Sequence, residues 1–533
     1  MKKSRMIVRA LMALSLLGGS SFSYAASEVA VVPLPVELSR QPGALTLSGA
    51  VAVSGPDSLV STIVARSDDF ADLDFKTVSS GGGLITVSAD PQLPAEGYTL
   101  IVTPQDIDIK AADCAGAFYA VQTLRQLYDP ETHTIPALEI TDYPRFAYRG
   151  FMLDEGRHIF GIDQIKKVLD MMALNKLNRF HWHLTEDQGW RMEVPKYPQL
   201  AEVAAQRKSD RLGWREQEAD SIPYGGYYSD DEMREIVDYA ADLFIEIIPE
   251  IDIPGHTQAA VAAYPELLAC DPEAHHEVWT HMGVSDDVIN VANPAAVQFT
   301  KDVIDHAIEI FPYGYLHLGG DECPTTKWEK NDACRALLDS IGSTDYRDLQ
   351  LNFYRELQRH IDAKPAADRR RLIFWNEVLH GNTAMLDSDI VIMAWVGADK
   401  AAREAAERGL NTILTPQIPY YINRKQHPSP DEPLSQGQGT ETLEKVYAYV
   451  PLNDVPDSLA SKYMGVQANF WSEYVSDADF LEYLMMPRLA AVAEAAWTPQ
   501  AERDYTDFTE RLKGLLPLYD RMNWNYCIHF LGE

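Results

Sequence analysis

From Pro144 to the C-terminus the chain repeats one pattern, a short apolar run followed by a stretch with apolar residues at helical spacing. Eight such runs can be counted as predicted strands: 150–154, 179–184, 246–251, 315–318, 372–375, 390–395, 412–414 and 464–468. Predicted helices lie between them, for example 162–177, 230–244 and 295–311, and a last one over 480–497 follows the eighth strand. Strands separated by helical crossovers run parallel, and eight strand–helix units close into a (β/α)8 barrel. The span of roughly 370 residues exceeds the usual ~250, so several loops are long. The expected class is therefore α/β, with a TIM barrel over 144–533.

Residues 26–143 have a different rhythm. Alternating runs at 84–87, 98–102 and 107–110 read as strands, and Phe118, Val121, Leu124 and Leu127 fall on one helical face after Gly116. These predict a small α+β accessory domain with no cluster of catalytic residue types. Ahead of it, Lys2, Lys3, Arg5 and Arg9 precede a short apolar core, Ala10 to Leu17, and Ser23-Tyr24-Ala25 offers a small-x-small cleavage site. Residues 1–25 are thus expected to be a signal peptide, which implies an exported protein, periplasmic or secreted.

The formal charge is −33, and cleavage after Ala25 would remove four basic residues and no acidic one. So acidic a surface repels phosphate backbones and anionic bilayers, which argues against nucleic-acid and membrane-surface partners. No apolar run is long enough to span a bilayer. The five cysteines are scattered: an oxidising compartment would permit a Cys323–Cys334 bridge, and free thiols are the alternative.

In a barrel of this kind the active site lies at the carboxyl ends of the strands. Polar residues collect there: Asp154 to His158 after strand one, His181, His183, Glu186 and Asp187 at strand two, Glu250, Asp252 and His256 at strand three. Strand four stops at Gly319-Gly320 and presents Asp321 and Glu322. Adjacent carboxylates repel, which pushes at least one pKa upward, and a carboxyl kept protonated near neutrality can act as a general acid. The remaining strands end in Trp375-Asn376-Glu377, Trp395, Tyr421 to Asn423, and Trp471-Ser472-Glu473.

Two chemistries compete for this set. His181-x-His183 puts two imidazoles on one face of a strand, as a metal-dependent hydrolase would need. Three tryptophans at three strand ends favour a sugar instead, because the C–H faces of a pyranose pack on indole. Arg157, Asn423 and Glu473 would then bond ring hydroxyls.

The chain resembles the family 20 glycoside hydrolases, the β-N-acetylhexosaminidases, along nearly its whole length after residue 25. The resemblance rests on Leu153-Asp154 through Arg157-His158, His181 to Arg191, Pro254-Gly255-His256-Thr257 and His317 to Glu322. It continues through Trp375-Asn376-Glu377, Trp471-Ser472-Glu473 and Pro487 to Ala490. It implies an exo-acting retaining enzyme with no cofactor and no metal, acting on glycans with terminal N-acetylhexosamine. The 2-acetamido oxygen of the substrate would serve as nucleophile, a recognised exception among retaining glycosidases. By resemblance, Glu322 is the general acid and base, Asp321 holds the acetamido N–H, and Tyr421 donates to the acetamido oxygen. Arg157 and Glu473 hold the 3- and 4-hydroxyls, and Trp375, Trp395 and Trp471 box the ring. Glu186 and His256 buttress Glu322. The family often has Asp at position 186, so Asp187 is an alternative partner for His256. Asp is also frequent at position 423, and Asn423 beside Arg424 and Lys425 leaves a substituted or anionic 6-position open. A catalytically silent sugar-binding relative would lack Asp321 or Glu322, and both are present.

Overall fold

The computed structural model describes residues 29–532 apart from 71, 80–81, 215–219 and 438, so the expected signal peptide lies outside the described residues. Eight parallel strands close into a barrel. In chain order they are β1 (Tyr148–Asp154), β2 (Arg179–His183), β3 (Glu246–Glu250), β4 (Tyr315–His317), β5 (Arg371–Trp375), β6 (Val391–Ala394), β7 (Asn411–Leu414) and β8 (Tyr463–Phe470). β8 pairs back to β1, with Phe470 opposite Leu153. Pairing in this register sets the polar ends side by side: Glu250 lies opposite His183 on one flank and His317 on the other. His183 in turn lies opposite Asp154.

The helical layer departs from the sequence reading in two places. No α-helix follows β5; the chain crosses to β6 through two 3₁₀ turns, Asn376–His380 and Thr383–Met385. The predicted helix over 480–497 is two helices, Ala478–Met485 and Arg488–Trp497. Pro487 lies between them and has no N–H to continue the ladder. Elsewhere the predicted helices are observed with shorter C-termini, as Ile162–Leu174, Asp230–Asp242 and Pro294–Ile310. The Asp230 helix carries a capping box, Ser229 with Glu232, which fixes its start.

Ahead of the barrel stands a seven-stranded sheet in the order Glu37–Thr46, Thr134–Asp142, Tyr98–Val102, Ile107–Ala111, Ile85–Ala89, Gly49–Ser54 and Leu73–Thr77. Helix Cys114–Leu127 starts where the Asp113 side chain accepts from Gly116 N at 2.8 Å, and it packs on this sheet. The strand Glu37–Thr46 is exposed along most of its length, so it shows no apolar alternation in the sequence. All five cysteines are free: Cys323 packs beside Gly255, and the Cys334 thiol donates to Asn290 Oδ1.

A buried ion pair ties the sheet to the barrel. Lys176, in the turn before β2, reaches Asp142 Oδ2 at 2.7 Å, and both side chains are fully buried. Tyr98 donates to the same oxygen and Trp497 Nε1 to Oδ1, each at 2.7 Å. Glu494 closes a second joint by accepting from Arg511 at 2.8 Å, while Arg511 also donates to Val31 O at 2.7 Å. Asp142→Ala leaves Lys176 charged and unpaired in the interior, which costs about 3–5 kcal/mol. Chemical unfolding should show a clear loss of stability for this variant; a midpoint unchanged from wild type would contradict the assignment of Asp142 as the joint.

Candidate active site

Beyond β4, Leu318-Gly319-Gly320 carry the chain out to Asp321 and Glu322. Gly319 (φ +65°) and Gly320 (φ +98°) are left-handed. A Cβ at Gly319 would lie 1.7 Å from Asp252 Oδ1, so glycine is what lets Asp252 slide in beneath the turn. Gly320 N then donates to that oxygen at 3.1 Å, and Asp252 N donates to Thr185 Oγ1 at 2.9 Å. Glu322 (φ +46°) and His256 (φ +49°) adopt the same backbone region despite carrying β-carbons. That conformation costs roughly 1–2 kcal/mol, and such strain gathers at functional sites.

The carboxyls divide by protonation. Burial raises the Glu322 pKa, and the Asp321 charge raises it further. Asp252 is pushed well up, first by burial and then by Asp321, and Asp321 is itself raised by burial. Glu186 goes the other way. Burial favours its neutral form, but Arg157 and His256 outweigh burial and hold the carboxyl ionised. Arg157 Nη2 lies 2.7 Å from Glu186 Oε1, and His256 Nδ1 lies 2.9 Å from Oε2. The other nitrogen of His256 stands 3.8 Å from Glu322 Oε2 and 3.9 Å from Asp321 Oδ2. Asp187 is 3.6 Å from His256 and instead accepts backbone bonds from Gln258 and Ser285 at 2.9 and 3.0 Å, so Glu186 is the closer partner.

Aromatic rings form a continuous wall around these acids. Trp375 and Trp471 have centroids 6.0 Å apart, Tyr421 and Trp471 5.9 Å, and Trp395 stacks on Tyr421 at 5.9 Å. The Arg157 guanidinium lies 5.1 Å above Trp471. Burial keeps the Tyr421 phenol protonated and therefore a donor. On the far side Gln436 links Asn423 to Glu473: Asn423 Nδ2 donates to Gln436 Oε1 at 2.8 Å, and Gln436 Nε2 donates to Glu473 Oε1 at 3.1 Å. Trp214 Nε1 also reaches Glu473 Oε1, at 3.4 Å.

All eleven residues singled out from the sequence thus fall in one cluster at the carboxyl ends of the strands. Arg157 is also held by the protein, with Nη2 on Glu186 and Nη1 3.4 Å from Asp154. Four side chains went without a role in the sequence: Asp252 beneath Asp321, Gln436, Glu250, and Glu377, which accepts from Trp395 Nε1 at 2.9 Å. Glu377 has a pKa pushed up to about 8 by burial and by Asp321. Asp252, Glu250 and Glu377 stood at strand ends where the sequence could have flagged them; Gln436 carried no signal. Among the described residues four groups lie close enough together to hold a metal ion: His181–Glu250–His317, His183–Glu186–Asp252, Glu186–Asp187–His256 and Asp252–His256–Asp321. In the first, His181, His183 and His317 all lie within bonding reach of Glu250 itself. Several buried site atoms have no partner within the protein, among them Asp321 Oδ1, Asn423 Oδ1, Glu473 Oε2 and Trp471 Nε1. Buried polar atoms are normally bonded, so this set suits a ligand rich in hydroxyl and amide groups.

Comparisons with known proteins point the same way. The family model "Glycosyl hydrolase family 20, catalytic domain" matches residues 146–500, and that family's domain 2 matches 28–143. A beta-hexosaminidase of Porphyromonas gingivalis is 36% identical over 520 residues, covering 93% of this chain and 64% of its own. One of Vibrio furnissii is 33% identical over 474 residues, covering 88% of this chain and 76% of its own. This chain therefore spans a little under two thirds of the Porphyromonas protein. Among solved structures, a GH20 exo beta-N-acetylglucosaminidase from Vibrio harveyi, in complex with N-acetylglucosamine, superposes with a TM-score of 0.85 at 34% identity. That match covers 96% of this chain and 80% of the other.

The electrostatics yield a signed expectation. Asp321→Asn removes a negative charge that raises Glu322, so the Glu322 pKa falls. If Glu322 acts protonated, the alkaline limb of the rate–pH profile moves to lower pH in this variant. A limb that stays in place or moves upward would contradict the assignment.

Proposed function

The chain belongs to glycosyl hydrolase family 20, and on that footing we propose that it is an exo-acting retaining β-N-acetylhexosaminidase. Its substrates are glycans ending in β-linked N-acetylglucosamine or N-acetylgalactosamine. The carrying observation is the pair at β4: a partly exposed acid with a raised pKa, Glu322, beside a buried carboxyl, Asp321, next to the aromatic wall.

The 2-acetamido carbonyl oxygen attacks C1 as the bond from C1 to the aglycone oxygen breaks, and Glu322 gives its proton to that leaving oxygen. The product of this step is an oxazolinium ion. Asp321 accepts from the acetamido N–H and stabilises the positive charge, while the proton on Asp252 orients it from behind. Tyr421 donates to the acetamido oxygen. Water then attacks C1 as the bond from C1 to the acyl oxygen breaks and the acetamide is restored, Glu322 recovers its proton from that water, and the anomeric configuration is retained. Such a charge-assisted contact, made mainly in the transition state, is worth ~3–4 kcal/mol. Glu186 and His256 hold Glu322 in place, and Arg157, Glu473 and Asn423 surround the hydroxyls of the non-reducing sugar. Trp375, Trp395 and Trp471 pack on the ring and the acetamido methyl. Residues 26–143 support the catalytic unit at 144–533, and residues 1–25, cleaved after Ala25, would direct the protein to the periplasm or medium as a signal peptide. Among the described residues no helix is long and apolar enough to cross a membrane.

A panel of aryl β-glycosides tests this reading. The 2-acetamido-glucoside is cleaved, with the galacto epimer also turned over, and the plain glucoside is not. EDTA leaves the rate unchanged. Comparable turnover of the plain glucoside would contradict the substrate-assisted step, and loss of activity in EDTA restored by zinc would favour a metal hydrolase.

A further inference from the structure

Beneath the aromatic wall lies a carboxylate that the reaction as described does not use. Glu250 ends β3 and is fully buried. Trp375 Nε1 donates to its Oε1 at 2.7 Å, and His317 Nδ1 lies 3.0 Å from the same oxygen. On its other oxygen, His181 Nε2 lies at 2.9 Å and His183 Nδ1 is hydrogen-bonded. Burial favours the neutral acid, but the imidazoles outweigh it and hold Glu250 ionised. His183 then turns its second nitrogen to Glu186 Oε1, at 3.1 Å. An unbroken chain of side chains therefore runs from Trp375 through Glu250, His183 and Glu186 to His256.

The same carboxylate organises the rings under the sugar. His317 and His181 stack on each other at 4.6 Å and pack against Trp375 at 4.8 and 5.8 Å. His183 meets Trp471 edge-on at 5.1 Å. Three imidazoles and one indole N–H thus converge on one carboxylate, and two of the three tryptophans rest on that layer. Trp375 is entirely buried, and Glu250 takes its one N–H while the histidines pack on its ring. A tryptophan fixed by a charge-assisted bond makes a pocket of fixed depth.

We propose that Glu250 is a positioning residue: through Trp375 and the imidazole layer it sets the tightness of the pocket for the substrate's N-acyl group. This rests on the hexosaminidase reading, in which the acyl oxygen must be held against C1 for attack. A loosened pocket would still fold and bind, but would lose its discrimination between acyl groups.

The test compares aryl 2-acetamido- and 2-propionamido-β-glucosides in wild type, Glu250→Gln, Trp375→Phe and the double variant. One extra methylene in a tight pocket is worth roughly 10–200-fold in kcat/KM, so wild type prefers acetyl by about that factor. Each single variant narrows the preference several-fold, because kcat/KM falls more for the acetyl than for the propionyl substrate. The double variant loses less than the sum of the two singles, since Glu250→Gln takes the charge from the bond that Trp375→Phe deletes. If Glu250→Gln does not fold, Glu250→Asp, which keeps the charge but draws it back from Trp375, takes its place and should narrow the preference in the same way. Equal losses on both substrates, or additive losses in the double variant, would overturn the proposal and leave Glu250 a structural charge. A wild type inactive on both substrates would instead sink the hexosaminidase reading, and the role of Glu250 with it.

Discussion

The site depends on how its buried negative charge is neutralised. Asp154, Glu186, Asp187, Glu250, Asp252, Asp321 and Glu473 are all buried at one end of the barrel. An ionised carboxylate without a partner is far too costly to leave in such a place. The structure answers in two ways. Glu186 and Glu250 stay ionised because Arg157 and the histidines surround them. Asp252, Asp321, Glu322, Glu377 and Glu473 shift toward the protonated form instead, each with burial as the first cause. Groups whose environments push their pKa values apart are the natural candidates for acid and base roles. Glu322 is distinguished among the raised carboxyls by its exposure, since 40% of its side chain remains open to solvent.

This arrangement follows from strand register more than from any one loop. Glu250 opposite both His183 and His317 is a property of three adjacent strands, and it places the imidazole layer before any loop is built. The loops then add the left-handed turns at His256 and Glu322 and the two glycines between which Asp252 fits. The small domain and the C-terminal helix Tyr505–Arg521 brace the opposite side through Asp142 and Glu494.

Much of this was legible in the sequence. Parallel strands buried on both faces read as short apolar runs, so all eight strands could be located, and the eleven residues proposed from the sequence are brought together at the strand ends. The helix absent after β5 was not legible, because nothing in the strand pattern requires each crossover to be helical. Four strands of the N-terminal sheet also escaped; the edge strand Glu37–Thr46 lies largely in solvent and carries no period-two signal. Within the site, what stayed hidden was pairing. Glu250 stands 67 positions from His183 and 125 from Trp375, and Gln436 bridges Asn423 to a glutamate 37 positions away. The pairing of Arg157 with Glu186 is likewise invisible to local spacing.

The central claim is that the substrate carries its own nucleophile and the protein orients it. The most direct measurement is the turnover of aryl glucosaminides whose N-acetyl group bears none, one, two or three fluorines. Fluorine withdraws electrons from the acyl oxygen while changing its size little, so kcat should fall steeply with each substitution if that oxygen attacks C1. A rate independent of fluorination would mean that a protein carboxylate or water attacks C1, and would contradict the account given for Asp321.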